Sequence, residues 1–244
     1  MSSEKNLDRI LREWSFDPQT LSVRLVKGDD GRDVIQVRVD LGVLQLETEG
    51  RPDGERPNGA ATFLDALKEV EQADPDFIMD DQQCFDADRE FVQFYHRRVA
   101  WLRLQYYHRA VQDANHTLSM MDMCREHSDD EDWTMSHEAY RPYVMFHRTQ
   151  AAALAALDDA GAEEAVAAIN EGLDAMRAVY IEHDSEDQFD EDELVVRLVE
   201  LRESLRQEYA VGQTLSERLK DAVASEQYEL AAKLRDELAK RHQN

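Results

Sequence analysis

The amino-acid sequence predicts a mainly α protein of the α+β class, with an N-terminal β-hairpin, a helical body and a C-terminal helical hairpin. Three observations predict this fold class. Residues typical of strands are concentrated between positions 20 and 48, on either side of a Gly-Asp-Asp-Gly turn. From residue 60 onward, apolar residues recur at helical spacing, and few glycines or prolines interrupt them. Hydrophobic residues make up 42% of the 244 residues, which is sufficient for a globular core.

Residues 1–59 are predicted to contain a short helix, a β-hairpin and a linker. The helix is indicated by apolar residues at Leu7, Ile10, Leu11 and Trp14, and it ends before Asp17-Pro18. The runs LSVRLV and DVIQVRVDLGVLQLE flank an Asp-Gly turn, which predicts two antiparallel strands. In the second run, Val37, Val39 and Leu41 alternate with polar residues, and Gly42 is interpreted as an interruption such as a bulge.

The segment 49–59 is rich in Gly and Pro and is therefore predicted to be a loop or linker. The stretch DLGVLQLETEGRPDG at 40–54 leads into it. Two interpretations of this stretch remain open at this point, a tight structural corner or a recognition loop.

Residues 60–212 are predicted to form the helical body. Thr62 is placed to cap a helix that ends before Asp74-Pro75. A long aromatic helical segment is predicted at 88–124 and a polar break at 126–138. Two helices on either side of Gly161, an acidic connector at 182–193 and a helix before Gly212 complete the body.

Two segments of this body share a pattern. YHRAVQDANHTL at 107–118 and AEEAVAAINEGL at 162–173 both carry Ala-Val and, later, Leu at matching positions. Each resembles the second helix of a tetratricopeptide (TPR) unit, although the copies lie 55 residues apart rather than the usual 34. An ordinary antiparallel helix bundle accounts for the same pattern. The body is therefore predicted to be either a helical bundle or TPR-like.

The composition limits the kinds of molecule that the chain is expected to bind. The chain has 53 acidic and 28 basic residues, a net charge of −25, which disfavours direct binding to nucleic acid or to an anionic membrane. No apolar stretch is long enough to span a bilayer, and the N-terminus lacks the apolar core of a signal peptide. Cys84 and Cys124 are isolated, as is usual for buried thiols in a reducing compartment. A cytoplasmic location is the expectation.

The sequence lacks the spacing of recognisable catalytic and metal motifs. His137 and His147 lie ten residues apart, not four as in a helical zinc motif. The acidic segment 184–195 has Phe189 where a calcium loop requires Gly. The aromatic run of Phe91, Phe94, Tyr95, Trp101, Tyr106 and Tyr107 is interpreted as core or as a peptide groove. We therefore predict no catalytic residue, no metal site and no cofactor.

Residues 213–244 are predicted to form two short helices joined by Ser225-Glu226-Gln227, with Thr214 or Ser216 as the first cap. Leu215, Leu219, Ala222 and Val223 form a stripe on the first helix. Tyr228, Ala231, Ala232, Leu234 and Leu238 are placed on the inner side of the second. Each helix is too short to be stable alone, so the two must pack together. The segment has six acidic and six basic residues, so residues 1–212 carry the whole net charge.

The pattern LxxxLxxAVxxEQYExAAxLRDEL in this segment resembles the UVR motif. That motif is the C-terminal helical hairpin of the excision repair subunit UvrB and of its counterpart UvrC, and similar hairpins occur in Clp ATPases and in the adaptor McsA. Tyr228 stands where Phe is usual. The resemblance implies docking to a protein, because the UvrB and UvrC copies pair with each other. The rest of the chain does not resemble the helicase, nuclease or protease-ATPase parts, and no phosphate-binding loop is present.

The resemblance thus implies a non-enzymatic adaptor or scaffold whose partner is a UVR-motif protein or a Clp-type component. Its pathway would be nucleotide excision repair or a Clp-type protease system. Two alternatives stay open: a structural homodimer without a different partner, or an unrecognised enzyme that uses carboxylates. The predicted partner-binding residues are Leu215, Leu219, Ala222, Tyr228, Ala231, Ala232, Leu234, Arg235, Asp236 and Leu238.

Overall fold

The computed structural model describes residues 6–241, and the side chains up to residue 239. The protein is mostly helical with a small antiparallel sheet, so the predicted fold class is confirmed. Contacts divide the chain into two compact units, residues up to Val144 and residues from Met145 onward. The segment boundaries predicted at 59 and 212 stay predictions. None of the helices within residues 6–241 combines the length and apolar character needed to cross a membrane.

The elements of the first unit begin with helix α1 and three strands. They are α1 (Asp8–Glu13), β1 (Val23–Lys27), β2 (Asp33–Val39), β3 (Gly42–Glu47), a 3-10 turn (Pro57–Gly59), α2 (Phe63–Ala73), α3 (Asp81–Arg103), α4 (Tyr107–His127) and α5 (Glu131–Glu138). Helix α6 (Arg141–Asp159) begins in this unit and continues into the second. The second unit then contains α7 (Ala162–Glu182), a 3-10 segment (Glu186–Glu191), α8 (Glu193–Tyr209), α9 (Leu215–Ala224) and α10 (Tyr228–Arg241).

The sheet has the order β1-β2-β3, and all its pairs are antiparallel. The predicted hairpin is confirmed for β1 and β2, but its second arm is two strands, not one interrupted strand. Asp40 and Leu41 form a two-residue turn, and Leu41 is 90% exposed rather than in line with Val37. After such a turn the inward positions change parity, so Ile35 pairs with Leu46 across the sheet. The paired apolar positions change from odd numbers in β2 (Ile35 and Val37) to even numbers in β3 (Leu46 and Leu44). This change was the sequence signal for a turn between two strands, and the prediction missed it.

Residues 48–62 are a packed corner of the first unit. The backbone N–H of Arg51 donates to the carbonyl of Ala61 at 2.9 Å, and Arg51 is only 3% exposed. Arg97 of α3 donates to the carbonyls of Glu47 and Gly50 at 3.1 and 2.7 Å, and its guanidinium also binds the Asp113 carboxylate in bidentate fashion. Of the two interpretations left open for residues 40–54, these contacts favour the structural corner.

A buried carboxylate fixes the start of α2. Glu90, which is 1% exposed, accepts hydrogen bonds from the backbone N–H groups of Phe63 and Leu64 at 2.7 and 3.0 Å. Two N–H groups that a helix start leaves without intrahelical partners are thereby satisfied. The side chain of Thr62 accepts from the N–H of Asp65 at 3.1 Å, so the predicted cap is confirmed. The Nε2 atom of His116, in α4, lies 2.8 Å from the Glu90 carboxylate. Glu90 of α3 therefore contacts both the start of α2 and α4.

Two expectations about the first unit's helices were wrong. The segment 88–124 is not one helix: α3 ends at Arg103, and Gln105 has a φ of +63° in a turn without Gly or Pro. The antiparallel packing of α3 and α4, through pairs such as Arg97–Asp113, compensates for this unfavourable residue. The segment 126–138 is also not simply a polar break. Residues 131–138 form α5, because Asp130 caps it by accepting from the N–H of Trp133 at 2.9 Å.

The second unit is built on the α6–α7 hairpin around Gly161, as predicted. Its two helices approach closely at Gly172, opposite Thr149. Helix α8 packs on α7, and Phe189 of the acidic connector is buried against this core. The core consists of Phe146, Ala153, Ala165, Val166, Ile169, Leu173, Met176, Phe189, Val195, Leu198 and Leu205. Antiparallel helix pairs are common to TPR units and bundles, so the TPR resemblance stays a prediction.

Candidate functional site

The C-terminal segment folds as the predicted helical hairpin, α9 and α10, and its first cap is Thr214. The Thr214 hydroxyl accepts from the N–H of Glu217 at 3.3 Å. In return, the Glu217 carboxylate accepts from the N–H of Thr214 at 2.8 Å. This reciprocal capping box satisfies backbone donors at the start of α9. Thr214 is 2% exposed, so the cap is also part of the packed structure.

The turn between the helices is Ser225-Glu226-Gln227, as predicted. The N–H of Gln227 donates to the carbonyl of Ala222 at 2.8 Å, and the N–H of Glu226 donates to that of Val223 at 3.0 Å. These two bonds define a Schellman motif, which normally has Gly at the residue with positive φ. Glu226 occupies that position with a φ of +56°. The sequence thus builds a tight reversal with a residue that is not ideal for it.

Between the helices lies a small hydrophobic core that belongs to the hairpin itself. Leu215, Ala222, Ala231 and Leu234 are buried, and Leu219 and Leu238 are partly buried against them. Six of the ten predicted partner-binding residues therefore hold the two helices together. Substitution of these residues would disturb the hairpin itself before it changed any contact with a partner.

The other four predicted residues lie on the outside of the hairpin. Ala232 is exposed, and Arg235 and Asp236 are exposed and paired with each other at 2.9 Å. Tyr228 is 68% exposed and was expected on the inner side, as was Ala232. The inner positions of α10 are 231, 234 and 238, and residues 228 and 232 lie outside this buried row.

Two further residues extend this exposed surface, and sequence reasoning did not select them. Val223 was assigned to the inner stripe of α9 but is 53% exposed, and Leu230 is 40% exposed. Together with Tyr228 they place three large apolar side chains near the turn, which we call the turn patch (Val223, Tyr228 and Leu230). Tyr228 and Leu230 also line a shallow surface depression with Glu226 and Lys233. The signal available in the sequence was the spacing of the buried residues of α10. Leu230 directly precedes the buried Ala231 and does not belong to the series 231, 234 and 238.

Polar contacts join α9 to α7 and α8 within the second unit. The Glu217 carboxylate accepts from the side-chain amide of Asn170 at 3.0 Å and pairs with Arg206. Lys220 of α9 pairs with Asp174 of α7. Partial burial favours a higher pKa for the Glu217 carboxyl, but the hydrogen bonds from Thr214 and Asn170 and the charge of Arg206 outweigh it. The pKa of Glu217 is therefore lowered.

The first unit contains a separate apolar pocket of about 690 Å³ between α3, α4 and the start of α6. Tyr95, Val92 and Tyr140 line it and are 39%, 56% and 65% exposed. Arg98 lies at its base, where it donates to Thr117 at 2.9 Å, and burial lowers the pKa of its guanidinium to about 10. The aromatic run predicted as core or groove thus divides. Phe94 and Trp101 are buried, and Tyr95 lines the pocket.

Comparison with known proteins identifies the hairpin. Residues 213–241 match the family model described as the UvrB/uvrC motif, so the UVR resemblance is confirmed for this segment. The match spans α9, the turn and α10. No curated protein and no solved structure matches the chain. In UvrB- and UvrC-type proteins the motif is a protein-interaction module, and the match is consistent with a protein partner for this hairpin.

Proposed function

We propose that this protein is a non-enzymatic adaptor that binds a protein partner through the outer surface of the α9–α10 hairpin. The partner would be a second UVR-motif protein or a Clp-type component, in excision repair or in a Clp-type protease system. The observation that carries the proposal is the coincidence of the motif match at 213–241 with a hairpin that has its own core.

The exposed turn patch supports a docking role. Its side chains are not needed for the hairpin's core, and large aromatic and aliphatic side chains are typical anchors at protein interfaces. Tyr228 contributes a rigid ring that loses little conformational entropy on binding. The core residues of the hairpin would act indirectly, because they keep Tyr228 and Leu230 at a fixed spacing.

Charge supports the same surface. The segment 213–244 has equal numbers of acidic and basic residues, and the remaining residues carry the net charge of −25. An acidic partner would be repelled from the rest of the chain but not from the hairpin. Arg235 and Asp236 are exposed and would contribute orientation more than affinity.

The test is a pull-down from source-cell lysate in which the full chain and two variants of it serve as baits. The variant Tyr228→Asp/Leu230→Asp changes the turn patch and leaves the buried residues of the hairpin intact. The matched control is Leu41→Asp, which changes a 90% exposed residue in the first unit. Thermal unfolding and circular dichroism of all three proteins would check that the fold is unchanged. Captured proteins would be identified by mass spectrometry and then measured with purified components by calorimetry.

We expect the wild type and Leu41→Asp to retain a UVR-motif or Clp-type protein with equal affinity. The turn-patch variant should bind it at least tenfold more weakly, since each buried interface anchor contributes about 1–2 kcal/mol or more. Equal binding by all three proteins would refute docking through this surface. Light scattering of the wild type alone would reveal a dimer, and a dimer dissociated by the turn-patch variant would favour the homodimer alternative.

A further inference from the structure

Three potential metal ligands converge in the first unit, far in sequence from the hairpin. His127 is the last residue of α4, Glu126 precedes it, and Glu71 lies in the last turn of α2. The Nε2 atom of His127 is 3.3 Å from Oε1 of Glu71. One ligand atom from each of the three residues lies within 4.8 Å of the others.

The hydrogen bond between His127 and Phe77 identifies the ring nitrogen of His127 that carries a proton. Its Nδ1 atom is 3.0 Å from the carbonyl oxygen of Phe77, and a carbonyl only accepts, so Nδ1 carries a proton. In the neutral ring, Nε2 then presents its lone pair to the Glu71 carboxylate. A metal ion between the Nε2 atom and the Glu71 carboxylate would be bound by lone pairs from both.

Packing holds the ring in this orientation. His127 is 5% exposed, and its ring stacks on that of Phe77 with centroids 4.2 Å apart and planes 17° apart. An imidazole that donates one N–H to a backbone carbonyl and directs the other nitrogen outward has the arrangement of histidine metal ligands generally. Glu71 is about one third exposed, so the position remains accessible to ions from solvent.

The distance between His127 and Glu71 suits a small tetrahedral ion. With metal–nitrogen and metal–oxygen bonds of about 2.0–2.1 Å, two ligand atoms of a tetrahedral site lie about 3.3 Å apart. The observed separation between His127 and Glu71 has this value. Glu126 is exposed, and its ligand atom lies within 4.8 Å of those of the other two residues. The C-terminal turns of α2 and α4 also present partial negative charge to a cation at this position.

We propose that Glu71, Glu126 and His127 bind one divalent transition-metal ion of the zinc type, with the remaining coordination position open to water or to an external ligand. An imidazole nitrogen favours zinc and similar ions over magnesium or calcium, which prefer oxygen ligands. Bound metal would join the ends of α2 and α4 and stabilise the first unit. No motif spacing predicted this site, because all of α3 and nearly all of α4 lie between Glu71 and the adjacent pair Glu126-His127.

The test uses the untagged full chain, stripped of metal with a chelator, and zinc or cobalt(II) as the probe. Titration calorimetry is done in millimolar magnesium, which occupies weak sites on this acidic surface. The variants are Glu71→Gln and Glu126→Gln, which leave the buried ring in place, with Glu69→Gln on the exposed side of α2 as the matched control. Unfolding temperatures with and without zinc provide a second measurement.

We expect one zinc per wild-type chain, affinity at least tenfold lower in each ligand variant, and no change in Glu69→Gln. Cobalt should give the visible spectrum of a four-coordinate nitrogen and oxygen site without thiolate charge transfer. Zinc should raise the unfolding temperature of the wild type and control more than that of the variants. Absence of zinc binding in magnesium, or equal binding by wild type and Glu71→Gln, would overturn the proposal and leave a proton as the bridging cation.

Discussion

Replacement of Gly172 by Ala tests the close approach of α6 and α7 that supports the hairpin-bearing unit. A Cβ atom at position 172 would lie 2.7 Å from Cβ of Thr149 and closer still to its Oγ1 and Cγ2 atoms. Ordinary carbon–carbon contacts are about 3.5–4.0 Å, so the helices would have to separate by about 1 Å. Overpacking of this kind costs about 3 kcal/mol, and the higher helix propensity of Ala returns about 1 kcal/mol. We expect a net loss of about 2 kcal/mol.

Urea denaturation of the full chain would measure this loss. The same substitution made in the Thr149→Gly variant tests whether the loss comes from the contact between residues 149 and 172. In Thr149→Gly the space beside residue 172 is empty, so Gly172→Ala should there become neutral or stabilising. The difference between the two backgrounds is the coupling energy of the pair. Unchanged or increased stability of Gly172→Ala in the wild-type background, or an equal loss in both backgrounds, would refute the packing argument.

Three further predictions concern single side chains. Glu226→Gly should stabilise the hairpin by about 0.5–1 kcal/mol, because Gly adopts the positive φ without strain, and thermal unfolding would show the gain; a loss would contradict the Schellman assignment. Glu90→Gln should destabilise the first unit by about 3 kcal/mol in denaturant, since the amide nitrogen cannot accept from one of the two buried backbone N–H groups and leaves it without a partner; a change below about 0.5 kcal/mol would exclude that role. The lowered pKa of Glu217 means that its stabilising contribution is complete above the ordinary value of 4.5 and is lost as the pH falls through the lowered value. The stabilities of wild type and Glu217→Gln, measured by denaturation from about pH 6 to about pH 3, roughly 1.5 units on either side of the ordinary value of 4.5, should therefore converge toward the acid end. A constant difference would count against the contacts of Glu217.

Local signals in the sequence were sufficient for much of the helical architecture. Thr62 and Thr214 were recognised as caps because an N-cap depends on residues within one turn. The turn at residues 225–227 and the break at Gly161 were recognised for the same reason. The break at Gln105 was missed, because a residue with positive φ that is neither Gly nor Asn has no local signature and is held by the packing of α3 on α4.

The candidate sites differ in how far sequence could predict them. The UVR-like hairpin was identified from a pattern confined to one short segment, although burial was needed to separate its core residues from the exposed Tyr228 and Leu230. The cluster of Glu71, Glu126 and His127 could not be identified in this way. Its ligands come from two helices, and their meeting depends on how those helices pack.

The sequence by itself determined the acidic character of the chain, the mainly helical class, the β1–β2 hairpin and the UVR-like segment. These properties follow from composition and from interactions between residues close along the chain. The tertiary structure alone decided that Glu90 caps α2, that Arg97 holds residues 47–50 as a corner, and that His127 faces Glu71. Such contacts join residues far apart in the sequence, and their energies depend on burial and geometry that exist only after the helices have packed.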